Sequence, residues 1–315
     1  MSGGRISNEV ILAKTETTYN TDPTPAPSTN AVLVRNVKLS SEGLRMNDRA
    51  AIRASLGQLQ EVYGGQLKRL TFEVEVKGSG AAGTAPEIGP LLEACGFNET
   101  IVASTSVTYL PESSAHESIT LYWYEFGRKL HKLTGARGNF TIKLEAGGIC
   151  LIEFDFVGHY TEPTDQTQPT PTYNSQVPKA GIGMTVAING VSAIVAKRWQ
   201  WSPNNTIATP ASLSATDGYG EVLITKRKVT GQLEIESELD SVLDLDVLLS
   251  AGTRFAFSSG QLGSTAGNRL NVTTPASSTY VTNTEPTESD GLRQRQIDLA
   301  VDDSTADTEL SIAFT

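Results

Sequence analysis

The sequence predicts an all-β protein with minor α content, made of two similar β-sandwich or rolled-barrel domains, each with one short helix packed on its sheet. Three observations lead there. Apolar and polar residues alternate at period two through most apolar segments, only two short stretches carry helix punctuation, and the two halves repeat one order of elements.

Alternation is clear in Leu70–Lys77, Phe140–Leu144 and Leu151–Val157, and returns in Met184–Ile188, Val229–Ile235 and Glu309–Phe314. Such a period places one face of each strand on a core and the other in a polar setting. Gly147-Gly148 separates two of these strands and reads as a hairpin turn. The helical candidates are Pro86–Gly96 and Ser241–Gly252; a proline opens the first and a glycine closes each.

Arg69-Leu-Thr-Phe-Glu-Val-Glu-Val76 overlies Lys228-Val-Thr-Gly-Gln-Leu-Glu-Ile235, and Leu91-Leu-Glu-Ala94 overlies Leu248-Leu-Ser-Ala251. Each half then closes with a hairpin. Gly135-Ala-Arg137 before Ile142 and Leu144 matches Gly291-Leu-Arg293 before Ile297 and Leu299, and the last strands match as Leu151–Val157 and Leu310–Phe314. Duplication is the expectation. It divides the chain into an N-terminal arm (1–30), a first domain (31–160), a Pro/Thr-rich linker (161–178) and a second domain (179–315). The linker carries Pro163, Pro169, Pro171 and Pro178 without apolar periodicity, and neither it nor the arm is expected to hold a core element.

With 38% hydrophobic and 19% charged residues among 315, the chain has material for a core. No apolar run reaches the ~18 residues of a membrane span, so no membrane partner is expected. Met1–Arg5 leads into no apolar signal core, and a cytoplasmic site of synthesis is expected. The net charge of −10 repels nucleic acid and anionic lipid. Cys95 and Cys150 read as free buried thiols, and with His116, His131 and His159 scattered, no metal and no cofactor are expected.

Catalytic signatures are missing. Gly78-Ser-Gly-Ala-Ala-Gly83 lacks the lysine and hydroxyl of a phosphate-binding loop, and no Gly-x-Ser-x-Gly elbow occurs. His116 lies two residues from Ser118, which is adjacency and not a catalytic geometry. The pairs Glu73/Glu75 and Glu234/Glu236 fit the wet face of a sheet better than a hydrolase dyad. The chain is expected not to be an enzyme.

The basic clusters Arg128, Lys129 and Lys132, then Lys197 and Arg198, then Lys226, Arg227 and Lys228 are assigned to contacts between subunits, facing acid on a neighbouring copy. Trp199 and Trp201 share one strand face, where burial is the commoner role than base stacking. An alternative class is a carbohydrate-binding or adhesive β-sandwich module, with Tyr122, Trp123 and Tyr124 as its sugar platform.

Ile11-Leu-Ala-Lys-Thr-Glu-Thr-Thr-Tyr-Asn-Thr-Asp-Pro-Thr-Pro25, then Asn30-Ala-Val-Leu-Val34 and Gly89-Pro-Leu-Leu-Glu-Ala-Cys-Gly-Phe97, resemble segments of the tail tube proteins of tailed bacteriophages, the long non-contractile kind. The resemblance runs from about residue 9 to 250. A glycine usual after the tyrosine is Asn20 here.

The resemblance implies a structural virion protein assembled in the host bacterial cytoplasm. Its rings stack into a conduit for DNA ejection, with strands lining the lumen, a helix outside, and arms and loops reaching the next ring. The N-terminal arm and the loop after Phe97 fit those contacts. Partners would be other copies, other tail proteins, and double-stranded DNA that passes without specific binding. Two tube domains per chain favour a ring of three with pseudo-sixfold symmetry; a hexamer is the second choice. An acidic lumen would let DNA slide, and its candidates are Glu73, Glu75, Glu234, Glu236 and Glu238.

Overall fold

The alternating segments become strands whose buried positions follow the sequence period. In the computed structural model, which describes residues 9–289, 291–303 and 305–315, the first part of the chain forms β1 (Val10–Thr15), β2 (Ala31–Val32), β3 (Val34–Glu42), β4 (Met46–Asn47), β5 (Val62–Tyr63), β6 (Leu67–Glu75), α1 (Gly89–Glu93), β7 (Phe97–Val102), β8 (Ser106–Pro111), β9 (Ile119–Glu125), β10 (Lys129–Glu145) and β11 (Leu151–Asp165). The rest forms β12 (Val186–Ile188), β13 (Val191–Ile194), β14 (Ala196–Ser202), β15 (Thr206–Ala208), β16 (Leu223–Lys226), β17 (Thr230–Glu236), α2 (Leu245–Ala251), β18 (Phe257–Ser258), β19 (Leu270–Thr273), β20 (Thr279–Ser289), β21 (Leu292–Val301) and β22 (Ser311–Phe314).

An eleven-stranded antiparallel sheet contains an unbroken run of eight strands, β3-β6-β11-β10-β14-β17-β21-β20. The 17-residue β10 makes this possible. Its first stretch pairs with β9, which carries β1 and β2, and its last residues pair with β14. The run is therefore two four-strand units of one order, β3-β6-β11-β10 and β14-β17-β21-β20, joined at β10 and β14. Gly147, at φ 74°, makes the β10–β11 turn where the sequence placed it.

A seven-stranded sheet, β13-β12-β18-β19-β22-β8-β7, packs beneath and also draws on both halves, with Ile312 opposite Tyr109 and Phe314 opposite Val107. Phe72, Phe154, Trp201 and Leu233 of the larger sheet share one buried cluster with Val107, Phe257 and Ile312 of the smaller. Each such side chain contributes about 1.5–3 kcal/mol on burial. Trp201 rests on Phe257, ring centroids 4.9 Å apart. Across the strand pair, Gly231 leaves the space for the indole: a Cβ there would lie 2.6 Å from it.

Both helices are shorter than expected. Gly89 and Pro90 delay α1, whereas Asp244 caps α2 by accepting a hydrogen bond from the Val247 amide, and Gly252 ends it at φ 58°. Cys95 and Cys150 are free and buried, as expected.

Three expectations need correction. The arm does hold a core element: Val10, Ile11, Leu12 and Ala13 are buried, and the whole of β1 pairs with β9, from Val10 opposite Tyr124 to Thr15 opposite Ile119. Its first eight residues lie outside the described ones. The linker begins as strand, because β11 continues to Asp165 opposite Lys129; threonine there suits a sheet and the ladder tolerates Pro163. The closing strands also match differently. Gly135-Ala-Arg137 is a bulge inside β10, not a strand entry, and the counterpart of β11 beside the central strand is β21, whereas β22 belongs to the smaller sheet. Alternation at period two does not say which sheet a strand joins.

Candidate assembly surfaces

The larger sheet turns its apolar face to the core and leaves a polar face that crosses both units. Alternation sets this in β6, where Leu70, Phe72 and Val74 are buried and Glu73 and Glu75 point the other way, and in β17, where Leu233 and Ile235 are buried beside Glu234 and Glu236. Glu238 lies beyond the end of β17, so strand alternation does not orient it as the sequence suggested.

Two of these carboxylates are engaged by cations. Glu73 meets Arg35 and Lys143, each at 2.9 Å, and accepts from Asn36. Burial alone would raise its pKa, but hydrogen bonds from Lys143 and Asn36 outweigh that and hold it below the ordinary value. Glu234 meets Arg198 at 2.8 Å and Lys197 at 3.3 Å. The face is thus acid interleaved with base, and Glu75, Glu153, Glu236 and Asp298 supply further carboxylates.

The basic clusters behave unevenly. Lys132 holds Asp22 at 3.1 Å over the Tyr122 ring, and Arg227 holds Asp307 and Glu309 at 2.9 and 2.8 Å. With Lys197 and Arg198 on Glu234, at least four of the eight cations bind within the chain. Arg128, Lys129, Lys226 and Lys228 are exposed. Lys197, Arg198 and Trp199 line an open cleft of about 340 Å³ between β14 and the 181–186 segment, while the Trp199 and Trp201 rings are buried in the core.

The eight-strand run ends in two edges. Among the described residues, β3 pairs with β6 alone and β20 with β21 alone, apart from one bridge at Thr279. Such edges invite another chain. Two hairpins also project. The one built on β4 and β5 is clamped at its base by Arg45 over the Tyr219 ring at 4.0 Å, and beyond it Met46, Ile52, Leu56, Val62 and Tyr63 are exposed. Sequence reasoning missed it, and its one signal is a set of apolar residues with neither period between two alternating strands. The segment after Phe97 is a strand hairpin, not a loop, and exposes Ile101 and Val102 at its tip.

One arrangement looks catalytic at first sight. Tyr19 Oη lies 3.0 Å from His159 Nε2, and His159 Nδ1 lies 2.6 Å from Asp217, beside a cleft of about 620 Å³. Burial first, despite a hydrogen bond from the Val222 amide, pushes the Tyr19 hydroxyl up to about 12, the reverse of an activated nucleophile. The chain of bonds straps the arm, β11 and the 209–222 segment together. His116 Nε2 bonds the Glu112 carbonyl and Ser118 donates to Glu16, so the two make no dyad.

Tyr122, Trp123 and Tyr124 are buried, which removes the proposed sugar platform. No group of metal ligands occurs among the described residues, and no helix is long and apolar enough to cross a membrane. A family model described as "Phage tail tube protein" matches residues 7–315. Comparison with curated proteins gives no match.

Proposed function

The chain belongs to the phage tail tube protein family, and on that premise we propose that it closes rings of three copies that stack into the conduit for DNA ejection. It is a structural protein of the virion tail. The observation that carries the ring is the eight-strand run with an edge free at each end. Three chains of eight strands close a barrel of 24. At ~4.8 Å between strands and a tilt of ~40°, its backbone diameter is ~48 Å, ample for a double helix between lining side chains. Six chains would double that width, which favours the trimer over the hexamer.

The two four-strand units support reading residues 31–160 and 179–315 as duplicated tube domains. Their polar face is the one that would line the lumen. There the net acid of Glu75, Glu153, Glu236 and Asp298 keeps phosphate from sticking, and the cations on Glu73 and Glu234 limit self-repulsion. The exposed apolar residues of the two hairpins would meet the next ring, and the exposed Lys129, Lys226 and Lys228 would meet acid on neighbours or on other tail proteins. Assembly belongs in the host bacterial cytoplasm, and the chain has no catalytic role.

Electron microscopy of the concentrated protein tests this. Stacked rings with three chains per turn are the expected result, and monomers under all salt conditions would overturn it. For the lumen, Glu75→Lys with Glu236→Lys should leave tubes intact but make them retain DNA. These positions spare the ion pairs of Glu73 and Glu234. Tubes that bind no more DNA than before would put the acidic face elsewhere.

A further inference from the structure

We propose that residues 166–178 form a strap that closes over the outer face of the arm sheet, latched by Lys77, and opens as a unit while both large sheets stay folded. The proposal concerns the single chain and does not depend on the ring reading.

The arm strands β1 and β2, with β9 and the start of β10, are apolar on both faces. Ile11, Ala13, Leu121 and Trp123 enter the main core. Val10, Leu12, Ala31, Tyr122, Tyr124 and Leu130 form a second, separate cluster, and Tyr173 of the strap packs against it. Tyr122 and Tyr124 are only 6% and 4% exposed, so this second face is covered.

The covering segment has few means of its own. Beyond Asp165 the strap pairs with no strand among the described residues. Spaced hydrogen bonds hold it. The Gln166 and Gln168 amides donate to the Arg128 and Gly127 carbonyls at 2.8 and 3.1 Å, and the Thr172 amide donates to the Pro27 carbonyl at 2.9 Å. Pro169, Pro171 and Pro178 favour an extended backbone, which lowers the entropy lost on docking. Segments with so few buried contacts open locally, at the low end of a protein's range.

The latch lies at the far end. Lys77, two residues past β6, has a side chain only 2% exposed, and its Nζ donates to the Asn174 carbonyl at 3.1 Å. Asn174 donates in turn to the Gly78 carbonyl at 2.8 Å. Asn268 donates to the Val177 carbonyl at 3.0 Å and accepts from the Gly78 amide at 2.8 Å. Gly78 permits this approach, because a Cβ there would lie 2.1 Å from the Gly267 carbonyl oxygen.

The same lysine is poised between holding and release. Its Nζ stands 3.3 Å from Glu87 Oε1, yet neither buried Glu87 oxygen accepts a well-formed hydrogen bond. Burial first, against the charge of Lys77, holds the Glu87 carboxyl above its ordinary value. A buried pair so poorly bonded returns little of its desolvation cost, so closure is only weakly favoured. Without Lys77, Glu87 would be left near Tyr173 with no cation.

The test is hydrogen exchange and limited proteolysis on the full chain. In the unmodified protein the Gln168 and Thr172 amides should exchange together, at least about tenfold faster than those of β6 and β11. Lys77→Met should speed that common exchange a further tenfold or so. Cleavage should then fall first within 166–178, and a dye that binds apolar surface should brighten. Tyr173→Ala should act alike with Lys77 in place. Strap amides that exchange in step with β6 and β11, or that ignore Lys77→Met, would overturn the proposal. Should Lys77→Met lose the protection of β6 and β11 as well, Tyr173→Ala decides: a strap that opens over intact sheets supports the proposal, and an unchanged strap sinks it.

Discussion

The two four-strand units of the larger sheet differ less in their strands than in what flanks them. In the first, β10 is covered on its outer side by β9 and then by β14, and α1 buries Leu91 and Leu92. In the second, β20 has no such cover, and around α2 the side chains of Leu239, Val242 and Val247 are exposed. One unit has its outer strand covered by its own chain; among the described residues the other leaves that strand edge bare, although α2 buries Leu245 and Leu248 much as α1 buries Leu91 and Leu92. A sheet that satisfies one seam internally and leaves the equivalent seam open is what the proposed head-to-tail closure requires.

The largest expected effect lies at the inner seam. Trp201→Ala empties a site buried between the units and should cost about 3–5 kcal/mol, read from the denaturation midpoint. Leu39→Ala, on the free-edge strand β3 and only half-buried, should cost less than half of that. Equal losses would mean that the two flanks are equally packed, and the contrast would fail.

The next effect tests how the first unit is completed. Glu16 is buried and accepts from the Ser118 and Thr120 hydroxyls and from the Asn20 and Gly135 amides, pinning the arm to β9 and to the bulge of β10. Glu16→Ala strands four donors and should cost about 2–4 kcal/mol. Hydrogen exchange should show the amides of β1 opening. Unchanged protection of β1 would show that strand pairing alone holds the arm.

Much of this fold was legible in the sequence. Glu73, Val74 and Glu75, or Leu233, Glu234 and Ile235, declare their faces because a strand has only two. The same two-fold period hid the sheet assignment of Leu310–Phe314 and the integration of β1, because pairing partners lie far along the chain. Ion pairing was equally invisible: nothing local in Glu234 foretells that Lys197 and Arg198 stand on the adjoining strand. The projecting hairpin escaped because its exposed Ile52 and Leu56 follow no period. Exposure of apolar groups is a property of the surface and not of the segment.

A smaller effect separates the two helices by pH. Glu93 ends α1, and burial first, then the charges of Glu99 and Glu117, push its carboxyl from 4.5 to about 7. Between those values the folded chain holds a proton that the unfolded chain has released. Stability contributed at this site therefore falls as pH rises from about 4.5 and levels off above about 7. Glu93→Gln should flatten that slope and gain on the order of 1 kcal/mol at pH 8, discounted because the group is only half-buried. Ser250, the residue matched to Glu93 in α2, cannot titrate, so Ser250→Ala should leave the pH profile unchanged. A slope that survives Glu93→Gln would place the titration elsewhere.

The smallest effect bears on the bare flank itself. Val247 is 54% exposed on α2, against complete burial of Leu91 and Leu92 on α1. Val247→Ser removes little contact within the chain and should change its stability by less than about 0.5 kcal/mol. Leu92→Ser, by contrast, puts a hydroxyl into the core and should lower the midpoint of thermal unfolding by many degrees. The pair is informative because both residues sit on short helices that follow the central strand of their unit, so helix propensity affects both in a similar way. If Val247→Ser cost as much as Leu92→Ser, the face of α2 that carries Val247 would be covered by the chain, as the face with Leu245 and Leu248 is. The second unit would then be as complete as the first, and nothing in the fold would call for a neighbour at that flank.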